Sequence, residues 1–261
     1  MAFRSVLFNV LFYLLMIAMM IVCAPVMVLG RPAALSAVRL FSRLSMALHR
    51  AVTGIRHEYR GFDSIPPGGS LVALKHQSVW ETIALLAHLP APAFVLKKEL
   101  MRIPLFGWWA RASGMIAVDR SGGVAALHEM TRDARAAVTE GRQVMIFPEG
   151  TRREAGAPPD YKPGIVHLYR ELGAPIVPVA LNSGLFWPRR TLVHRKGAIV
   201  AEVQLIIPAG LEPRQAFRRM RDEIETACDR LLLEAARDGA YLEPTARARV
   251  AALEDGVTPA A

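Results

Sequence analysis

The alternation of apolar and polar positions divides the chain into an apolar start, an amphipathic stretch and a body of short buried runs. Residues 6–29, VLFNVLFYLLMIAMMIVCAPVMVL, carry no charged side chain. As a helix they would extend about 36 Å at roughly 1.5 Å per residue, against a hydrocarbon core of about 30 Å, which predicts a membrane segment. A cleaved signal would be shorter and followed by a small-residue cleavage site, so the segment is expected to be retained. Residues 32–54 space their apolar positions at three and four with arginines between, which predicts an amphipathic helix. Such a stripe can lie on a membrane or pack on a globular body; its place beside the apolar segment favours the membrane.

Short apolar runs bounded by Gly and Pro then alternate with helical spacing. They predict strands near 55–60, 70–75, 93–97, 115–119, 143–147, 176–181 and 198–207. Helices are predicted near 79–89, 104–112, 123–139, 164–172 and 213–237. This order implies an α/β fold, a mostly parallel sheet flanked by helices, preceded by the membrane helix and the amphipathic helix. The expected division is an anchoring region at 1–54, a main domain at 55–240 and a mobile tail at 241–261.

Charge sharpens the picture. The net charge of +9 comes from 27 Arg and 5 Lys. Only Arg4 precedes the apolar segment, whereas Arg31, Arg39, Arg43, Arg50 and Arg56 follow it, which puts the main domain on the cytoplasmic side of an inner membrane. A segment that crosses and one that dips in and returns at Pro25 give the same side. No zinc-finger spacing, aromatic RNA-binding signature or basic heptad helix is present, so the expected anionic partner is a phospholipid bilayer and not nucleic acid. Cys23 and Cys228 fall in separate predicted helices, and no disulfide is expected.

Two histidines stand five residues before an acid: His76 with Glu81, and His128 with Asp133. The second pair lies inside a predicted helix, where five residues turn through about 140°, so the two side chains face apart. His76 instead ends the strand SLVALK, at the edge where a parallel sheet presents its site. Ser78 and Glu81 form the S-x-x-E pattern of a capping box, which can close a helix and also bring the carboxylate to one ring nitrogen. The other nitrogen would then be free as a general base. A second stretch, QVMIFPEGTRR at 143–153, ends a buried strand in a turn that displays Glu149, Gly150, Thr151 and Arg152. Glycine lets backbone amides approach an anion, and arginine can grip it bidentately.

FPEGTR, together with His76-x4-acid, GMIAVDR (114–120) and IVPVALNS (176–183) in this order, resembles the lysophosphatidic acid acyltransferase family, the 1-acylglycerol-3-phosphate O-acyltransferases. The resemblance covers residues 70–185 and weakens toward about 210. It implies a glycerolipid acyltransferase-like fold and acyl transfer to a lyso-glycerolipid acceptor. The donor would be an acyl-CoA or acyl carrier protein thioester, with lysophosphatidate becoming phosphatidate by acylation of its sn-2 hydroxyl. Position by position, His76 matches the base, and Glu81 stands where the family usually has aspartate. Arg120 closes the second block, Glu149, Gly150 and Arg152 belong to the acceptor-phosphate block, and Pro178 marks the fourth. Lys162 in YKPGIVHL is a further cation for that phosphate, or a solvated loop lysine. No cofactor and no metal are expected, because a thioester is already activated. Backbone amides around Gln77–Val79 are the expected oxyanion donors.

Rival readings share parts of this. Another lyso-lipid acceptor, such as a lyso-ornithine lipid or a lysophospholipid in remodelling, would use the same chemistry. A non-catalytic lipid-binding scaffold would rest on Glu81 alone. A thioesterase is disfavoured by the absence of a G-x-S-x-G nucleophile elbow. Trp108 and Trp109 are expected as core or interfacial anchors, Lys97 and Lys98 as surface residues, and His49, His57, His88, His167 and His194 as structural.

Overall fold

Strand β2 (Ser70–Leu74) is buried at every position, as is β6 (Ile176–Leu181), because each lies inside a sheet covered on both faces. A computed structural model describes residues 1–119 and 121–256. The seven strands predicted from the sequence form one sheet: β1 (Arg56–Arg60), β2, β3 (Pro92–Lys97), β4 (Ile116–Val118), β5 (Gln143–Ile146), β6 and β7 (Ala198–Val203). Their order is β1-β7-β6-β2-β5-β3-β4, parallel throughout except where β7 runs antiparallel to β6. Alternation along β2 sends Val72 and Leu74 to one face and Leu71 and Ala73 to the other.

The Leu71 face is covered by α5 (Gly123–Thr139), α6 (Gly164–Leu172) and α8 (Pro213–Arg237), through Met130, Ala134, Leu168 and Met220. The Val72 face is covered by α1 (Ala2–Val22), α2 (Arg31–Thr53) and α3 (Trp80–Ala84), with α9 (Pro244–Glu254) also joining this core. Phe8 and Phe12 of α1 and Met46 of α2 belong to the same core cluster as Trp80, Met145 and Val179.

Three expectations change. The stripe of α2 is not laid in lipid: Ala34, Leu35, Met46 and His49 are buried in the protein, and the Ser42 hydroxyl donates to the carbonyl of Ile83 at 2.7 Å. Only its opposite flank still shows Leu40 and Leu44. The helix predicted at 79–89 shortens to α3 and a 3-10 turn at Leu85–Ala87, since Pro90 disfavours helical backbone at the residue before it. The expected mobile tail is ordered over 244–254. There α9 buries Ala246 and Val250 one turn apart, and Arg249 forks onto Asp229 of α8. Residues 257–261 lie outside the described residues.

Helix α1 keeps a broad apolar flank exposed, including Phe3, Val10, Leu14, Ile17 and Ile21. It is the single helix among the described residues long and apolar enough to cross a membrane. Trp109 of α4 (Phe106–Ala112) is buried and donates from Nε1 to the carbonyl of Met20 at 3.1 Å, while Trp108 stands 56% exposed beside it. The expected anchor thus divides: one tryptophan joins the body to α1, the other belongs to the exposed apolar surface. These features mark a membrane-associated protein.

Candidate active site

The site forms where β2 and its parallel neighbours β5 and β6 leave the sheet at their carboxyl ends. β2 ends at Leu74; Lys75 and His76 follow, and the chain turns into α3. His76 Nδ1 lies 2.8 Å from Glu81 Oε1, and the same oxygen accepts from the backbone amides of Gln77 and Ser78, each at 2.7 Å. The second oxygen accepts from the hydroxyl of Ser183, the first residue of the short α7 (Ser183–Phe186), at 2.8 Å. Four donors thus replace the water that complete burial removes from this carboxylate. Ser78 closes the turn separately, its hydroxyl accepting from the amide of Trp80 at 3.1 Å. Helix capping and histidine orientation therefore coexist in one carboxylate. Because Gln77 and Ser78 spend their amides on Glu81, those two are not available as the expected oxyanion donors.

The His76 ring stacks on Phe147 at 3.8 Å between centroids, and its backbone carbonyl accepts from the amide of Arg153 at 2.8 Å. These contacts seat the turn after β5 beside the histidine. Gly150 holds φ +67°, the left-handed conformation that favours glycine. Beyond it, Thr151 and Arg152 are exposed, and the Arg152 guanidinium has no hydrogen bond or ion pair among the described residues.

Glu149 points the other way. Its side chain is 1% exposed, Oε1 lies 3.0 Å from Lys75 Nζ, and Lys75 also reaches Glu225 of α8 at 2.7 Å. Burial pushes the Glu149 carboxyl above its ordinary range, with Lys75 only partly opposing. Glu149 is thus an internal partner and cannot contact an acceptor phosphate. Lys162 projects outward, 58% exposed, and pairs with Asp160 at 2.7 Å. Arg120 lies outside the described residues. The second histidine pair does not assemble: Asp133 pairs with Arg132, and His128 lies edge-on to His167. Lys97 pairs with Glu99 on the surface.

Residues 56–182 match the family described as Acyltransferase. The 1-acyl-sn-glycerol-3-phosphate acyltransferase of Pseudomonas aeruginosa is 34% identical over 188 residues, covering 72% of this chain and 73% of that protein. The chain belongs to the acyltransferase family. It is an enzyme of that family, with the mostly parallel, helix-flanked sheet described above. The human 1-acyl-sn-glycerol-3-phosphate acyltransferase alpha is 33% identical over 141 residues, 53% of this chain and 50% of that protein. In fold, the chain resembles the crystal structure of the 1-acyl-sn-glycerophosphate acyltransferase of Thermotoga maritima. The TM-score is 0.75 with 20% identity, over 88% of this chain and 98% of that one.

Sequence reasoning missed Ser183, Lys75 and Phe147 in this acyltransferase site. The Asn182-Ser183 end of the fourth block was the available signal for Ser183, since a hydroxyl just past a buried strand falls at the same sheet edge as His76. No comparable signal marks Lys75, because lysine at a strand exit ordinarily faces water.

Proposed function

We propose that the enzyme transfers a fatty acyl group from an acyl-CoA or acyl carrier protein thioester to the sn-2 hydroxyl of lysophosphatidate, giving phosphatidate. The observation that carries this reading is the seating of the His76–Glu81 pair against the turn that presents Arg152, whose guanidinium is unpaired among the described residues. The names of the relatives point to the same acceptor. With Nδ1 committed to Glu81, His76 Nε2 takes the proton of the acceptor hydroxyl as that oxygen attacks the thioester carbonyl. The tetrahedral intermediate collapses by breaking the carbon–sulfur bond, and the imidazolium returns the proton to the leaving thiolate. Glu81 fixes the tautomer and stabilises the imidazolium. Arg152, joined by Arg120, grips the acceptor phosphate; Thr151 and the backbone at Gly150 shape the turn around it. The chemistry calls for no cofactor or metal.

The same reading puts the enzyme at the cytoplasmic face of the inner membrane, supported by the arginines that follow the apolar segment. Ser5, Phe8 and Phe12 are seated in the body, which supports an α1 that lies along the membrane over one that stands across it.

An acyl-transfer assay on membranes carrying wild type, His76→Ala or Arg152→Ala tests the proposal. Labelled acyl thioester is supplied with either lysophosphatidate or its dephosphorylated monoacylglycerol. Wild type should form phosphatidate, His76→Ala should lose about 10³-fold or more, and Arg152→Ala should raise KM for the phosphorylated acceptor alone. Equal turnover of both acceptors by wild type would refute the phosphate reading.

A further inference from the structure

Four chain segments meet in a buried charged cluster behind the site. Lys75 follows β2 and directly precedes His76; Glu149 belongs to the turn that carries Arg152. Tyr161 and Asp160 belong to the next loop, and Glu225 to α8. Lys75 Nζ reaches Glu149 Oε1 at 3.0 Å and Glu225 Oε1 at 2.7 Å, and the Tyr161 hydroxyl donates to that same Glu225 oxygen at 2.7 Å. The amide of Asp160 donates to Glu149 Oε1 at 3.3 Å. The other Glu149 oxygen is buried with no hydrogen-bond partner among the described residues. Among the described residues the carboxylate is therefore held through Oε1, by one ammonium and one long amide contact.

We infer that Lys75 is a positioning residue: by anchoring Glu149 it sets the separation between the His76 imidazole and the Arg152 guanidinium. This rests on the reading that Arg152 holds the acceptor phosphate. Burial works against the Lys75 ammonium, but Glu225 and Glu149 outweigh it and hold its pKa above the ordinary lysine value. The turn around Gly150 is exposed at Thr151 and Arg152, and it is also held by the Lys162 amide on the Pro148 carbonyl at 2.8 Å and by Arg189 on the Arg152 carbonyl. Besides the cluster, the turn is linked to His76 by the Phe147 stacking and the Arg153 amide bond. A phosphate gripped at Arg152 brings a hydroxyl to the base only if the gap between the two matches the short bond path from phosphate to hydroxyl. Lys75 sets that gap without touching substrate.

The prediction separates acceptors. Breaking the cluster should raise KM for lysophosphatidate about tenfold or more, leave KM for the acyl thioester unchanged, and leave slow acylation of monoacylglycerol untouched, because that acceptor has no phosphate to register. Lys75→Met alone strands two carboxylates in the interior and can fail to fold. Lys75→Met with Glu149→Gln removes the buried charges in a pair, and Glu225→Gln weakens the anchor at a side chain 22% exposed. Lys75→Arg should restore part of the loss. The measurement is steady-state kinetics with both acceptors on enzyme whose folded fraction is set by thermal unfolding. Selective loss with lysophosphatidate supports the inference. Equal losses with both acceptors, or a lower Tm with both KM values unchanged, overturn it and make Lys75 merely structural. Should Arg152→Ala leave KM for lysophosphatidate unchanged, the acceptor reading itself fails, whatever the Lys75 variants do.

Discussion

Acidification should loosen the seat of α1 on the body of the protein. Three histidines form a hydrogen-bonded chain beneath that helix: His49 Nδ1 lies 2.8 Å from His57 Nε2, and His49 Nε2 lies 2.8 Å from His194 Nδ1. Asn9 of α1 approaches the far nitrogen of His194 at 3.4 Å, and Phe8 and Trp187 enclose the rings. Burial lowers His49 from 6.5 to about 2, with His194 and His57 adding to it; burial also lowers His57 to about 4, with Arg50 adding, and His194 to about 4. All three are neutral in the folded protein near pH 7.

As pH falls below 6.5, the unfolded chain takes up protons that the folded one refuses, so stability is present above 6.5 and lost on the way down to about 4. A histidine moved from 6.5 to about 4 forfeits about 2 kcal/mol at pH 5 relative to pH 8. His49 and His194 are fully buried and count whole; the partly exposed His57 counts about half, for a loss on the order of 5 kcal/mol. That rivals the whole stability of a typical domain, about 5–15 kcal/mol. Urea unfolding in detergent micelles, followed by tryptophan emission from pH 8 to 5, measures it. The slope between pH 5 and 6 should fall by about 1.4 kcal/mol per pH unit in His194→Gln, since one titrating group is gone. Identical slopes in wild type and His194→Gln, or a wild-type stability flat across this range, would refute the reasoning.

Ser183→Ala should leave Glu81 Oε2 buried without a donor, costing about 1–3 kcal/mol, and kinetics should show it in kcat with KM unchanged. Glu81→Asp withdraws the carboxylate by one methylene, so it cannot keep both His76 and Ser183 at hydrogen-bonding distance; a fall in kcat of about tenfold is expected, against complete loss in Glu81→Ala. Gly197→Ala would place a methyl 2.1 Å from Cε1 of Phe186 at a φ of +149°, and thermal unfolding should register the loss while the His76 site keeps its KM values.

The parts of the fold legible in the sequence are those whose surroundings leave one solution. The continuous apolar runs of β2 and β6 can only be strands covered on both faces, and a histidine at such an exit can only meet the sheet's carboxyl edge. Residues 32–54 read equally well as a lipid-facing or protein-facing stripe, because both demand the same period; the partner, not the pattern, decides. Helix α9 was hidden because Ala246 and Val250 bury too little to register as a period. In the site, the local pair His76–Glu81 was readable, whereas Ser183 lies 102 residues away in sequence from the carboxylate it holds. Glu149 was misplaced for a related reason. Thr151 and Arg152 of the same turn face outward, and a buried lysine just past the end of another strand explains why Glu149 does not.

Phe8 and Phe12 share their core with Trp80, whose helix carries Glu81. A soluble version made by trimming the chain at residue 54 would therefore not be a smaller copy of the enzyme. It would lack the floor beneath α3, lose His49 from the middle of the three linked imidazoles together with the Asn9 contact to His194, and present the bare underside of β2, β6 and β7 to water. Anyone wishing to work away from detergent would do better to keep α1 and replace its outward residues, Val10, Leu14, Ile17 and Ile21, with polar ones, so that the helix serves as a lid instead of an anchor.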